Sequence, residues 1–560
     1  MHDLVFKGGT LYDGSGLPPF TADVAVKDGI IREIGRVKAP ARRTIDIDGL
    51  AIAPGFIDLH THMDAQFFWD PLGSSLNEHG VTSVVIGNCG LTLAPCRPSD
   101  HDALLGTFAR VEGMPRSVLD SAIRWEWESH GEYMQALARR PLGLNIATFV
   151  GHNAVRQYVM GEASVEREAT VNEVLAMQGL VREGIAAGAY GFSTDLNNRH
   201  FREDGRPIPS RAASRSEIDL LCGVVGEANR GVIQFSHGGP ESARHIEWYN
   251  AVASANHRPV IWQSILQTWS QPDLWRTQLK GAAASFRRGA PAYPLTNARS
   301  FSNRWTLKNT QTFDELPTWK TLAFVPIETR KQAFCDPQTR AKLAWEAVDD
   351  TRVVLFSRRW DVIMIHRTAR PENRQWEGRS VADLAAATGK SVMDAFLDLA
   401  LEEDLETVFE NSDINGDHAA VAEILRSPYT LVGQSDAGAH LAFDAGFGYA
   451  TTLLGYWVRE RRAMSLEEAV RKLTFMVASV FGMRDRGLLR PGMAGDAVVF
   501  DPATVGAEDR ELVHDLPEGE ARYVQHARGI HYTAVNGQLL MEHGSHTGAF
   551  PGGVLRDGGI

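Results

Sequence analysis

The sequence predicts an α/β protein whose repeated strand–helix units close into a barrel between two β-rich chain ends. Three observations predict it. Short apolar runs alternate with helical stretches from about residue 51 to 485, the pattern of βα units around a parallel sheet. Eight of these runs read as strands, and eight is the number that closes such a barrel. The segments outside them show brief alternating runs and tight-turn dipeptides instead.

In chain order, residues 1–50 carry strands at 3–6, 23–26 and 30–34, separated by the turn signals Gly8-Gly9, Asp13-Gly14 and Asp28-Gly29. The barrel, 51–485, takes strands at 51–60, 81–88, 145–151, 188–194, 231–237, 259–265, 361–366 and 430–435. The gap of about 266–360 is too long for a simple crossover and is rich in aromatics, including Trp269, Trp275, Phe286, Trp305 and Trp319. It reads as an insertion that shapes or covers the substrate site, or else as one with a small core of its own and no such role. Residues 486–560 return to β texture, with strands at 496–500, 530–535 and 539–541 and Asn536-Gly537 as a hairpin turn.

Composition bounds the function. The 560 residues exceed the ~250 of a typical α/β barrel, so one large domain with satellites is expected. Apolar residues at 44% and charged residues at 22% are globular proportions that allow a large core. The net charge is −12 and no basic run occurs, which argues against a nucleic-acid partner. The N-terminus lacks a charged segment followed by an apolar one, and no stretch approaches ~20 uninterrupted apolar residues; a cytoplasmic protein without membrane spans is expected. Four scattered cysteines cannot form a disulfide framework in a chain this long, which fits a reducing compartment. Cys222 and Cys335 read as small buried apolar residues.

Chemistry enters at Pro54-Gly55-Phe56-Ile57-Asp58-Leu59-His60-Thr61-His62. An apolar run ends in two histidines two residues apart, and the period of a strand points both imidazoles to one side. That pair stands at the C-terminal end of a strand, where barrel enzymes keep their active sites. Other strand ends offer matching groups: Cys89 in Gly87-Asn88-Cys89-Gly90, His237 in Phe235-Ser236-His237-Gly238, and Asp436 in Gln434-Ser435-Asp436-Ala437-Gly438. All are good zinc ligands, so a metal-dependent hydrolase is the reading from the residues.

These motifs resemble the amidohydrolase superfamily, and within it the N-acyl-D-amino-acid deacylase (D-aminoacylase) group. The resemblance runs nearly end to end, through Leu93-Ala94-Pro95, Gly151-His152, Gly191-Phe192-Ser193-Thr194 and the C-terminal Arg486-Gly487, Pro491-Gly492 and Phe500-Asp501. It implies a distorted (β/α)₈ TIM barrel with a small β-sandwich built from both chain ends. It also implies one or two zinc ions, a small-molecule amide substrate, and attack by metal-bound hydroxide with Asp436 as general base and acid. His60, His62, Cys89, His237 and Asp436 are the implied ligands. Cys89 stands where most relatives use a carbamylated lysine, and no lysine occurs between Lys38 and Lys280. Cys96 is read as a bystander. His152 and His440 are implied as rim residues that orient the substrate, and Arg156 and Arg199 are candidate anchors for an anionic group.

The sequence departs from the group at strand six, where Pro259-Val260-Ile261-Trp262-Gln263-Ser264-Ile265 carries Gln263 in place of a histidine. A neutral amide oxygen is a poor zinc ligand, so one mononuclear site is expected and the substrate is less constrained. Two other functions stay open: a cyclic-amide or dipeptide hydrolase on the same scaffold, and a non-catalytic barrel acting in assembly. Self-association into a homo-oligomer is also open.

Overall fold

The computed structural model describes the chain except for residues 239–241, 352, 353, 355, 443–445, 559 and 560, and the side chains of 412 and 413. Its central feature is a succession of parallel strands. Phe56–Asp58 pairs with Val81–Ile86, which pairs with Asn145–Thr148. Past Phe149 the third strand continues as Val150–Gly151 and pairs with Gly191–Asp195. Val232–Ser236, Val260–Gln263, Ala292–Thr296 and Leu431–Val432 follow in order. A parallel bridge between Gln434 and His60 brings the eighth strand back to the first. The fold is TIM-barrel-like. Strands buried on both faces read as continuous apolar runs, and every residue of Val81–Ile86 is buried. Helices cover the outside, the longest being Val171–Ala187, which opens on a Thr170/Glu173 capping box and closes on left-handed Gly188.

The two chain ends share one nine-stranded sheet, with Ala51–Pro54 paired antiparallel to Ala497–Phe500. The expected strand 51–60 is therefore divided. Its first half belongs to this sheet and its second half to the barrel, with the change made at Gly55. A Cβ there would stand 2.2 Å from Thr82 Oγ1, so no larger residue fits.

The seventh barrel strand is not 361–366 but Ala292–Thr296. Pro291 and Pro294 disguise it, because proline removes a ladder donor. It is tolerated since the pairing with strand eight begins only at Leu295. Ile363–Arg367 instead pairs antiparallel with Val408–Ile414, which also pairs with Phe301–Trp305. The insertion accordingly lies between strands seven and eight, and Trp275 and Phe286 fall outside it, on barrel helix Leu274–Arg287. It has its own core around Trp305, Phe313, Trp319, Phe396 and Phe409. No helix among the described residues is long and apolar enough to cross a membrane.

Candidate active site

Strand one delivers His60 and His62 to the C-terminal end of the strands. The backbone N–H of His60 donates to Gly433 O and to Asp58 Oδ1, and that of His62 to Ala437 O, so both are pinned to the loop after strand eight. Strand two delivers Cys89 on a sharp turn in which Gly87, Cys89 and Gly90 all have positive φ. The Cys89 N–H donates to Gln234 Oε1 at 3.1 Å and its carbonyl accepts from Asn153 Nδ2 at 3.2 Å.

The sulfur of Cys89 lies 3.6 Å from His60 Nε2 and 3.8 Å from His62 Nε2. Among the described residues these three form the one group of potential metal ligands whose donor atoms all fall within 4.8 Å of one another. Asp436 adjoins it, with Oδ1 3.2 Å from His60 Nε2. Burial drives the His60 imidazole down to about 3 and His62 well below its usual range, so both rings are neutral lone-pair donors. Burial and the nearby Asp195, Glu112 and Asp436 push the Cys89 thiol far above its ordinary value, and Glu112 rises for the same reasons. Neutral imidazoles facing buried acids and a thiol are a donor set completed by a divalent cation, whose charge reverses the penalty on each acid. The residues fit a metal.

Two of the expected ligating or rim residues make side-chain contacts of their own. His237 lies outside the three-ligand group: its Nδ1 meets the Tyr249 hydroxyl at 2.6 Å and its ring stacks on His245 at 4.2 Å. Its Nε2 is buried and has no hydrogen-bond partner among the described residues. His152 is a packing residue rather than a rim residue, because Thr194 Oγ1 and Glu217 Oε1 occupy its two ring nitrogens at 2.8 and 2.9 Å. His440 does line the cavity beside His62 and Cys89, with φ 56°. Gln263 reaches the ligands directly: its Nε2 donates to Cys89 Sγ at 3.2 Å and to Ser236 Oγ at 3.0 Å.

The sequence profile of the amidohydrolase family matches residues 43–541. The chain belongs to this family. It is 30% identical to an N-acyl-D-aspartate deacylase of Alcaligenes xylosoxydans xylosoxydans over 99% of this chain and 95% of that one. Among solved structures, a D-aminoacylase described for its binuclear metal centre superposes with a TM-score of 0.68 at 26% identity, covering 99% and 100% of the two chains. An N-acyl-D-glutamate deacylase from Bordetella bronchiseptica, complexed with zinc and a phosphonate mimic of the tetrahedral intermediate, gives the same TM-score and identity over 99% of each chain.

This amidohydrolase places further groups at its site that the motifs do not announce. Glu112, 2% exposed, sets Oε1 3.3 Å from His62 Nδ1, while its carbonyl accepts from the His440 N–H. It follows helix His101–Val111 and lies at no strand end, so no pattern singles it out. Asp195 ends strand four and holds His200 Nδ1, and His200 lines the cavity. Strand-end reasoning applied to Gly191–Asp195 would have found it. The insertion supplies Phe301, Asn303, Trp305 and Phe356 to the cavity wall, so the same segment both has its own core and covers the amidohydrolase site.

Proposed function

We propose that the protein is a zinc-dependent deacylase that cleaves the amide bond of N-acyl amino acids, on a distorted (β/α)₈ barrel with a small β-sandwich from both chain ends. One observation carries the reading: buried His60, His62 and Cys89 converge beside Asp436, and His62, Cys89 and Asp436 line one cavity. These four would hold the zinc, and His237 offers its partnerless Nε2 as a further donor. When bound, the ion lowers the pKa of a water towards ~7 and polarises the amide carbonyl oxygen. Asp436, with its side chain 17% exposed to the cavity, takes the proton of the attacking water and passes it to the departing nitrogen. Gln263 fixes the Cys89 sulfur through its Nε2–H donor, and the Glu112 carboxyl stands 3.3 Å from the outer nitrogen of His62, where it favours one orientation of the ring. The similarity to deacylases that act on N-acyl-D-amino acids supports this substrate class.

The test is metal analysis of the purified protein with a hydrolysis screen over N-acyl-D- and N-acyl-L-amino acids, simple amides and cyclic amides with zinc present. We expect about one zinc per chain and turnover of N-acyl amino acids. Zinc content near zero with no turnover on added zinc would overturn the proposal, and preferential turnover of cyclic amides would replace the substrate class. Asp436→Asn should keep its zinc and lose about 10²- to 10⁴-fold in kcat.

A further inference from the structure

We propose that Arg199 anchors a carboxylate on the amino-acid half of the substrate, an assignment that rests on the deacylase reading above. Among the described residues lining the cavity, Arg199 is the one arginine or lysine. The same cavity carries the carboxyl groups of Glu112 and Asp436, neither of which can pair with an anionic substrate. A bound metal answers the charge at one end. A second cation is needed wherever the substrate's own carboxylate comes to rest, and Arg199 is the group available for it.

The guanidinium of Arg199 is uncommitted, forming no hydrogen bond or ion pair among the described residues, while the side chain is only half-buried. Asp314, whose charge interacts with that of Arg199, is already paired with Arg110. The other candidate anchor, Arg156, is fully buried and spent on Glu217 at 2.9 Å and on the carbonyl of Ser164. A half-buried arginine without a partner beside a metal site is in the condition that a ligand carboxylate relieves.

The backbone carrying Arg199 is built rather than loose. Asp195 Oδ1 accepts the Asn197 N–H at 2.7 Å, and Asn197 Oδ1 accepts the Arg199 N–H at 3.1 Å. Asn197 Nδ2 meets His200 Nε2 at 3.1 Å, and Asp195 holds the opposite ring nitrogen. His200 lines the same cavity as His62. The turn after strand four thus fixes Arg199 relative to the metal ligands, and a substrate held at both ends presents its amide in one orientation.

Equilibrium binding of non-hydrolysable analogues tests this without turnover. The probes replace the scissile amide of N-acetyl-D-leucine by a phosphonamidate, with the terminal carboxylate either free or converted to carboxamide. A third probe, the D-aspartate analogue with its α-carboxylate amidated, carries only a side-chain carboxylate. We expect the zinc-loaded protein to prefer a free carboxylate over the carboxamide by about tenfold to a hundredfold. Arg199→Met and Arg199→Gln should bind the carboxamide as the parent does and lose the preference, while Arg199→Lys keeps part of it. The probe whose preference is lost identifies which carboxylate is held. A preference that survives in both Arg199→Met and Arg199→Gln overturns the assignment, as does a parent protein that binds all three probes equally. A parent protein that holds zinc yet binds none of them overturns the deacylase reading as well.

Discussion

Removing the charge of Glu112 while keeping its shape tests how His62 is held. A metal-ligating histidine whose outer nitrogen meets a carboxylate gains basicity and a fixed ring orientation, and loss of such a partner weakens metal binding about tenfold to a hundredfold. Glu112→Gln should therefore lower zinc affinity by that factor, measured by competition with a chelator, with the fold unchanged by circular dichroism. Gln263 offers the complementary experiment. Its amide nitrogen sits 3.2 Å from the Cys89 sulfur, so Gln263→His would present an imidazole there, and metal analysis should rise from about one ion per chain towards two. The sequence made His60, His62, Cys89 and Asp436 legible because each ends a strand, and a strand's period and polarity say where its end points. Glu112 escapes that logic, since a residue following a helix has no such geometric rule. His237 also ends a strand, and its Nδ1 meets the Tyr249 hydroxyl while its ring stacks on His245.

Among the elements, the first strand is the most constrained. Gly55 lets one continuous segment serve two sheets, and a methyl group at this position would meet Oγ1, Cγ2 and Cβ of Thr82 at 2.2, 2.3 and 2.7 Å. Gly55→Ala should destabilise the protein by about 2 kcal/mol or more, read from the urea midpoint. Thr82→Ala should recover part of that loss, and strictly additive effects of the two substitutions would show that the contact is not the cause. Strand seven shows where periodicity fails. The apolar run 361–366 reads as a barrel strand, yet Ile363 and Ile365 are buried while Met364 and His366 are not. That alternation marks an antiparallel strand with one open face. The true strand was hidden by Pro291 and Pro294, whose effect depends on which neighbour each residue faces, and the sequence does not carry that information.

Taken whole, the molecule should lose stability in mild acid. His79 and His130 are buried, and burial holds both at about 4. In the unfolded chain they titrate near 6.5, so between these values the unfolded state binds more protons. Their contribution is complete above pH 6.5 and is lost as the pH falls towards 4, on the order of 3 kcal/mol for each. Urea midpoints at pH 7 and 4.5 should show this drop, and it should shrink in His130→Gln; an equal drop in that variant would remove His130 from the account. His79 also ties the barrel to the C-terminal segment through Gln525 O at 2.9 Å, while its other ring nitrogen meets Thr451 Oγ1 at 2.8 Å. The pairing of Ala51–Pro54 with Ala497–Phe500 makes the same connection one step from the metal ligands. On the ribosome these partners emerge far apart in time: at ~5–20 residues per second, tens of seconds separate the strand that carries His60 and His62 from the strand that braces it. Metal retention is then expected only late in synthesis, and a chain truncated before residue 497 should fail to keep zinc through gel filtration.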